Sequence, residues 1–162
     1  MSSDHSRLSD LELYGRMNAS GRTGRSAFEE LYRRYASNVY RYCLRVVGAR
    51  EMAEDLFHET FINLYRSAHR EKVMTNVEAY LMRIARNLCL NARRSKANNT
   101  LPLDGIDLGY HDLDFDRRET QALVVMALES LPDDYREALV LCEYSGLTYA
   151  EIAEVLGVSL ST

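Results

Sequence analysis

The sequence predicts an all-α chain built as two small helical domains joined by a flexible acidic linker. Three observations predict it. Apolar residues recur three and four positions apart over long stretches, and nothing alternates for long with the period of two that a strand requires. A segment rich in Pro, Gly, Asp and Asn, Ala97–Asp116, interrupts that pattern. Charge divides at the same place: residues 1–100 hold 17 Lys and Arg against 11 Asp and Glu, while residues 101–162 hold 3 against 13. The net charge of −4 therefore conceals a basic half and an acidic half, which suggests two modules with different partners.

The elements follow in chain order. A short helix is predicted over Ser9–Met17, capped by Ser9 or Asp10, and Asn18–Gly24 is a loop by composition. A long helix runs from about Ser26 to Val47, with Phe28, Leu31, Tyr32, Tyr35, Val39, Tyr42, Cys43 and Val46 along its apolar side, and Gly48 ends it. The next covers Arg50–Arg66, burying Ala53, Leu56, Phe57, Thr60, Phe61 and Leu64. Ser67–Asn76 is a polar loop, and a fourth helix covers Val77–Ser95. Beyond the linker, helices are predicted over Arg117–Ser130, Asp133–Ser145 and Thr148–Leu156, with Pro132 suited to a first turn.

Composition excludes several function classes. No stretch approaches the ~20 apolar residues needed to cross a bilayer. The N-terminal MSSDHSRLSDLELYG lacks the apolar core of a signal peptide, so a cytoplasmic protein without membrane insertion is expected. Cys43, Cys89 and Cys142 are odd in number and widely spaced, which favours buried reduced thiols over disulfides or a zinc site. His58 and His69 lack metal-ligand spacing, and packing or surface roles suit them better. No phosphate-binding glycine loop, catalytic carboxylate pair or nucleophile triad is present. Hence no enzyme activity, metal, cofactor or small-molecule substrate is expected.

The fourth helix carries the sharpest chemical signal. At about 100° per residue, Val77, Leu81, Ile84, Ala85, Leu88 and Ala92 fall on one side. Arg83, Arg86, Asn87, Arg93 and Arg94 fall on the other, with no acid among them. Guanidinium groups offer bidentate donors to phosphate, and Asn87 can pair with an adenine edge. Tyr80 stands at the entrance, where its ring can stack on an unpaired base, although its place near the apolar side favours a core position. A merely solvated arginine face is the competing interpretation.

The C-terminal stretch TYAEIAEVLGVS reads as the first helix and turn of a helix-turn-helix. Thr148 and Glu151 form a capping box, Ile152 and Leu156 are four apart, and Ala153 is a small packing position beside Ala150. Gly157 suits the turn, and Ser159 suits the N-cap of a second helix. Only Leu160, Ser161 and Thr162 follow.

These blocks together resemble a known family. FEELYRRYASNVYRYCLRVVG, AEDLFHETFINLYR and AYLMRIARNLCLNARRSK are similar to domain 2 of bacterial extracytoplasmic-function (group IV) sigma factors. ALESLPDDYREALVLCEYSGLTYAEIAEVLGVS is similar to their domain 4. The resemblance implies four parts: an N-terminal segment 1–24 with a short helix, sigma domain 2 at 25–96, a linker at 97–116 that lies along the RNA exit path, and sigma domain 4 at 117–162. It also implies that the helix which would read −35 DNA is missing after Thr162. A sigma factor of this kind binds core RNA polymerase, recognises promoter DNA, helps open it, and catalyses no reaction.

The resemblance further assigns roles. Asp55, Glu59, Phe61, Leu64 and Tyr65 would meet the β′ clamp helices of the polymerase, the last three divided between core and interface, and domain 4 would meet the β flap. Tyr80, Arg83, Arg86, Asn87, Arg93 and Arg94 would handle the −10 element. One flipped base would enter a pocket in the loop containing His69, Arg70, Lys72, Thr75 and Asn76. An anti-sigma factor would cover the polymerase-binding faces. The alternative is a sigma-mimic interaction domain that sequesters an anti-sigma factor without binding DNA, against which the intact arginine ridge argues. A small helical enzyme is disfavoured by the lack of any convergent acid–base or metal set.

Overall fold

A computed structural model describes residues 5–70, 74–99, 123–124, 126–128 and 130–160. Every regular element among them is helical. After a 3₁₀ turn at His5–Arg7 come α1 (Asp10–Arg16), α2 (Arg22–Val47), α3 (Arg50–Ala68) and α4 (Val77–Asn99). Residues 123–124 and 126–128 are also helical, and α5 (Asp133–Tyr144) and α6 (Tyr149–Leu156) follow. The rest of the predicted linker and the start of the helix expected from Arg117 lie outside the described residues, as do Ser161 and Thr162.

Local chemistry sets the helix boundaries. Ser9 caps α1 reciprocally with Glu12: the Ser9 backbone N–H donates to the Glu12 carboxylate at 2.8 Å, and the Glu12 N–H donates back to the Ser9 hydroxyl at 3.3 Å. These bonds hold the Glu12 carboxyl below its usual range. The long helix α2 begins four residues earlier than its apolar pattern predicts. Gly21 turns the chain with φ of 78°, which only glycine adopts cheaply, and Gly24 then passes against the backbone carbonyls of Met17 and Ala19. Gly48 ends α2 in the left-handed region, as predicted. At α4 the Asn76 side-chain oxygen accepts from the Ala79 N–H at 2.9 Å, an N-cap that the sequence reading placed in the base-binding loop.

Helices α2, α3 and α4 pack around Leu31, Val39, Tyr42, Leu64, Leu81 and Met82, all essentially without solvent exposure. Each fully buried aliphatic side chain of this size contributes ~1.5–3 kcal/mol relative to exposure. An edge-to-face aromatic cluster of Phe28, Tyr32, Phe57 and Phe61 joins α2 to α3. Helix α1 closes one end by burying Leu13 and Met17, and the Tyr14 hydroxyl lies 3.1 Å from the Ser67 hydroxyl on α3. Arg34 fastens this N-terminal segment: it pairs with Asp10 at 2.6 Å and with Glu30 at 2.8 Å, and Tyr35 also donates to Asp10.

Helices α5 and α6 pack on α2 and α4, and Val140, Leu141, Ile152 and Val155 are buried in the same apolar cluster as the first four helices. Arg136 ties α5 to the helical turn before it by donating to the carbonyls of Leu128 and Leu131. Two expectations need correction. Cys142 is exposed, because α5 turns that face to solvent, whereas Cys43 and Cys89 are buried as expected. Pro132 occupies the N-cap of α5, one position before the first turn. No helix among the described residues is long and apolar enough to cross a membrane.

Candidate nucleic-acid interface

Helices α3 and α4 diverge on one side and leave an open cavity of about 460 Å³. Asn63, Arg66, Ser67 and Arg70 line it from α3 and the turn after it, and Tyr80, Ile84, Asn87 and Leu88 line it from α4. Helical spacing creates this lining. Asn63, Arg66 and Arg70 are three and four apart and form one stripe, and Tyr80, Ile84, Asn87 and Leu88 form the facing one. The walls thus combine an aromatic ring, two amides, two guanidiniums and two aliphatic side chains. A base can stack on the first, be read by the second and have its phosphate held by the third. Tyr80 is half-buried at the rim and Asn87 is exposed, so the two sequence candidates meet here.

The predicted arginine ridge divides into two parts. Arg93 and Arg94 are exposed, and no ion pair involves them among the described residues. Seven residues, or ~10.5 Å of helix, separate Arg86 from Arg93. Arg83 and Arg86 face the C-terminal helices instead. Arg86 Nε lies 2.7 Å from Glu137 Oε1, and Arg86 Nη2 donates to Glu137 Oε2 at 3.0 Å. Arg83 pairs with Glu154 at 3.2 Å in a more exposed setting. Of the six side chains expected to meet DNA, Asn87, Arg93 and Arg94 are therefore exposed, Tyr80 is half-buried, and Arg83 and Arg86 are occupied from within the chain.

The expected flipped-base loop is only partly brought together. Arg70 reaches the cavity. His69 stacks on Tyr65, ring centroids 4.2 Å apart, with Nδ1 2.9 Å from the Tyr65 carbonyl oxygen. Thr75 is exposed outside the cavity lining, and Asn76 is spent on capping α4 and on a 2.6 Å hydrogen bond to Glu151. Lys72 lies outside the described residues. Asn63 and Arg66 were not anticipated in the cavity, and Ser67, expected as the first residue of the base-binding loop, reaches it from the last turn of α3. Their polar stripe over the last two turns of α3 was the signal available.

A second surface runs along the outer face of α3. Asp55 is exposed, Glu59 is half-exposed, and both share this face with Ile62 and Tyr65, which are 43% and 44% exposed. Arg66 approaches Glu59 at 3.7 Å. Phe61 and Leu64, grouped with this surface by the resemblance, are core residues at 2% and 0% exposure: their positions face α2 and α4. Ile62, an exposed apolar side chain one turn beyond Glu59, takes their place on the face.

The capping box predicted at the start of α6 forms. Glu151 accepts from the Thr148 backbone N–H at 2.7 Å and from its hydroxyl at 2.8 Å, which holds the Glu151 carboxyl below its usual range. Ile152 and Ala153 are buried, Leu156 is half-buried, and Gly157 adopts φ of 72° to turn the chain toward Ser159.

Comparison with known proteins bears on the family and the fold. Residues 31–99 match the model of Sigma-70 region 2, and residues 121–162 match that of Sigma-70 region 4. The ECF RNA polymerase sigma factor SigE of Mycolicibacterium smegmatis is 38% identical over 148 residues, 84% of this chain and 55% of that protein. The ECF RNA polymerase sigma factor SigM of Bacillus subtilis is 30% identical over 135 residues, 81% of this chain and 82% of that protein. Among solved structures, CnrH in complex with the cytosolic domain of CnrY superposes with a TM-score of 0.68 at 20% identity, covering 94% of this chain and 85% of CnrH, and so shares the fold.

Proposed function

Because the chain belongs to the ECF sigma factors of RNA polymerase, we propose that it directs core polymerase to promoters and reads the −10 element through α3 and α4. The cavity carries this reading. It brings Tyr80, Asn87, Arg66 and Arg70 to one place, beside the exposed Arg93 and Arg94. A single flipped base of the non-template strand fits its chemistry, with unstacking costing a few kcal/mol that stacking and hydrogen bonds offset. Arg93 and Arg94 hold phosphates on either strand and carry no base information. The outer face of α3, with Asp55, Glu59, Ile62 and Tyr65, docks on a basic surface of the polymerase, and promoter DNA and core enzyme are the partners. The site of action is the cytoplasm, where polymerase and DNA are found.

Two variants separate these roles. Asn87→Ala, tested with holoenzyme on −10 fork templates carrying each base in turn, removes discrimination at one position, by ~1–3 kcal/mol. Asp55→Arg with Glu59→Arg abolishes capture by core polymerase while leaving the helical circular dichroism spectrum intact, since exposed substitutions typically cost under ~0.5 kcal/mol. Uniform loss across all templates with Asn87→Ala would make it a mere backbone contact. Normal capture of the double variant would place docking elsewhere.

A further inference from the structure

The two arginines withdrawn from the ridge are held by a specific arrangement. Arg86 and Glu137 are 19% and 13% exposed, so their pair is largely shielded from salt and water. The Tyr42 hydroxyl also donates to Glu137 Oε1, at 3.4 Å, the oxygen that Arg86 Nε approaches, and burial raises that hydroxyl's pKa. Arg83–Glu154, Asn76–Glu151, and the Gly146 N–H donating to Glu78 at 2.7 Å join the same two surfaces. Arg41 lies over the Tyr144 ring at 5.4 Å. Charge is complementary across the contact, since Glu137, Glu151 and Glu154 belong to a segment with three basic residues against thirteen acidic ones.

We propose that Glu137 and Glu154 are internal competitors of DNA phosphate, and that α5–α6 masks part of the α4 ridge until they are displaced. One guanidinium fork cannot hold a carboxylate and a phosphate at the same atoms, so DNA binding and closure exclude each other at Arg86. A chain closed nine times in ten binds DNA about tenfold more weakly than its open form. This inference rests on the reading of α4 as a DNA surface, and the test distinguishes the two.

The test measures fluorescence anisotropy of a labelled −10 fork DNA with the full 162-residue chain. Glu137→Gln with Glu154→Gln keeps side-chain size and removes the competing charges, and its affinity for the DNA is expected to rise roughly tenfold. Glu154→Gln alone, at an exposed pair that does not threaten folding, gives a smaller rise. Arg83→Ala with Arg86→Ala lowers affinity if the ridge binds DNA. In parallel, Arg83→Lys makes the pair with Glu154 open to zero-length carbodiimide coupling. The α4–α6 cross-link, identified by mass spectrometry, is expected to decline as fork DNA is added. Unchanged affinity in the Gln variants with loss in the Ala variant would overturn masking and leave the ridge intact. Unchanged affinity in all of them would overturn both, and a cross-link indifferent to saturating DNA would overturn masking.

Discussion

Arg93 and Arg94 offer the most quantitative handle on the DNA surface. Both are exposed near the end of α4, away from the glutamates that hold Arg83 and Arg86. On the proposed reading, replacing both with alanine removes two phosphate contacts while sparing the cavity and the core. Each contact with duplex DNA contributes ~0.9 to the slope of log K against log salt. The double variant should therefore show a slope shallower by about 1.8. Over the fourfold salt change from ~50 to ~200 mM, wild type should lose about twelvefold more affinity than the variant. On a single-stranded contact, where each phosphate contributes ~0.7, the same comparison gives roughly sevenfold. The assay is holoenzyme binding to a −10 fork template across a salt series, with Arg33→Ala, a distant exposed arginine on α2, as the control. Parallel salt lines for wild type and double variant would refute the assignment of these guanidiniums to phosphates.

Other outcomes concern the scaffold. Gly24→Ala should be strongly destabilising, by at least ~2 kcal/mol, because a Cβ there meets the Met17 carbonyl oxygen at 2.9 Å and the Ala19 carbonyl closer still; a urea midpoint equal to wild type would count against the close approach. Thr148→Ala should cost ~1 kcal/mol through loss of the α6 cap, read as a lower denaturation midpoint with unchanged slope. Glu30, bonded to Arg33 and Arg34, has its pKa lowered from 4.5 to about 2 by those hydrogen bonds. A depressed folded-state pKa means its stabilisation is present above pH 4.5 and fades as pH falls toward 2. The stability gap between wild type and Glu30→Gln should accordingly narrow over that interval, and a constant gap in denaturation midpoints would contradict the pairing.

Most of the fold was legible because helices leave a strong periodic trace. The caps at Ser9 and Thr148, the stop at Gly48 and the buried side of α3 all follow from short-range rules about hydrogen bonding and apolar spacing. The start of α2 did not follow. Its first turn is polar and is positioned by Gly21 and Gly24 against the α1–α2 loop, a contact between segments that periodicity does not register. On α4 the apolar stripe was identified, but Met82 and Cys89 are also buried, at 1% and 0% exposure. They face the neighbouring helices from the flank that borders Arg86, so the true buried arc is wider than a single packed stripe requires.

The candidate site was legible by residue type and less so by grouping. Tyr80 and Asn87 were selected from α4 alone, and the partners that make a cavity of them, Asn63 and Arg66, come from α3. Phe61 and Leu64 were divided between core and interface by the resemblance, whereas the apolar period alone had placed them on the buried side of α3, where they lie. The pairing of Arg83 and Arg86 with glutamates 71 and 51 positions away was beyond any local rule. Only the opposite charge of the two halves hinted at it.

The central claim is that the cavity between α3 and α4 receives a promoter base when the chain is bound to polymerase. Site-specific photo-cross-linking tests it most directly. A fork template with a photoreactive base at each −10 position in turn is bound to holoenzyme, irradiated, and the attached peptides are identified. One position should cross-link to peptides containing Tyr80 or Asn87, only when core polymerase is present, and should cease to do so in the Tyr80→Ala with Asn87→Ala variant. Cross-links from every −10 position to other parts of the chain, with none at the cavity, would contradict it.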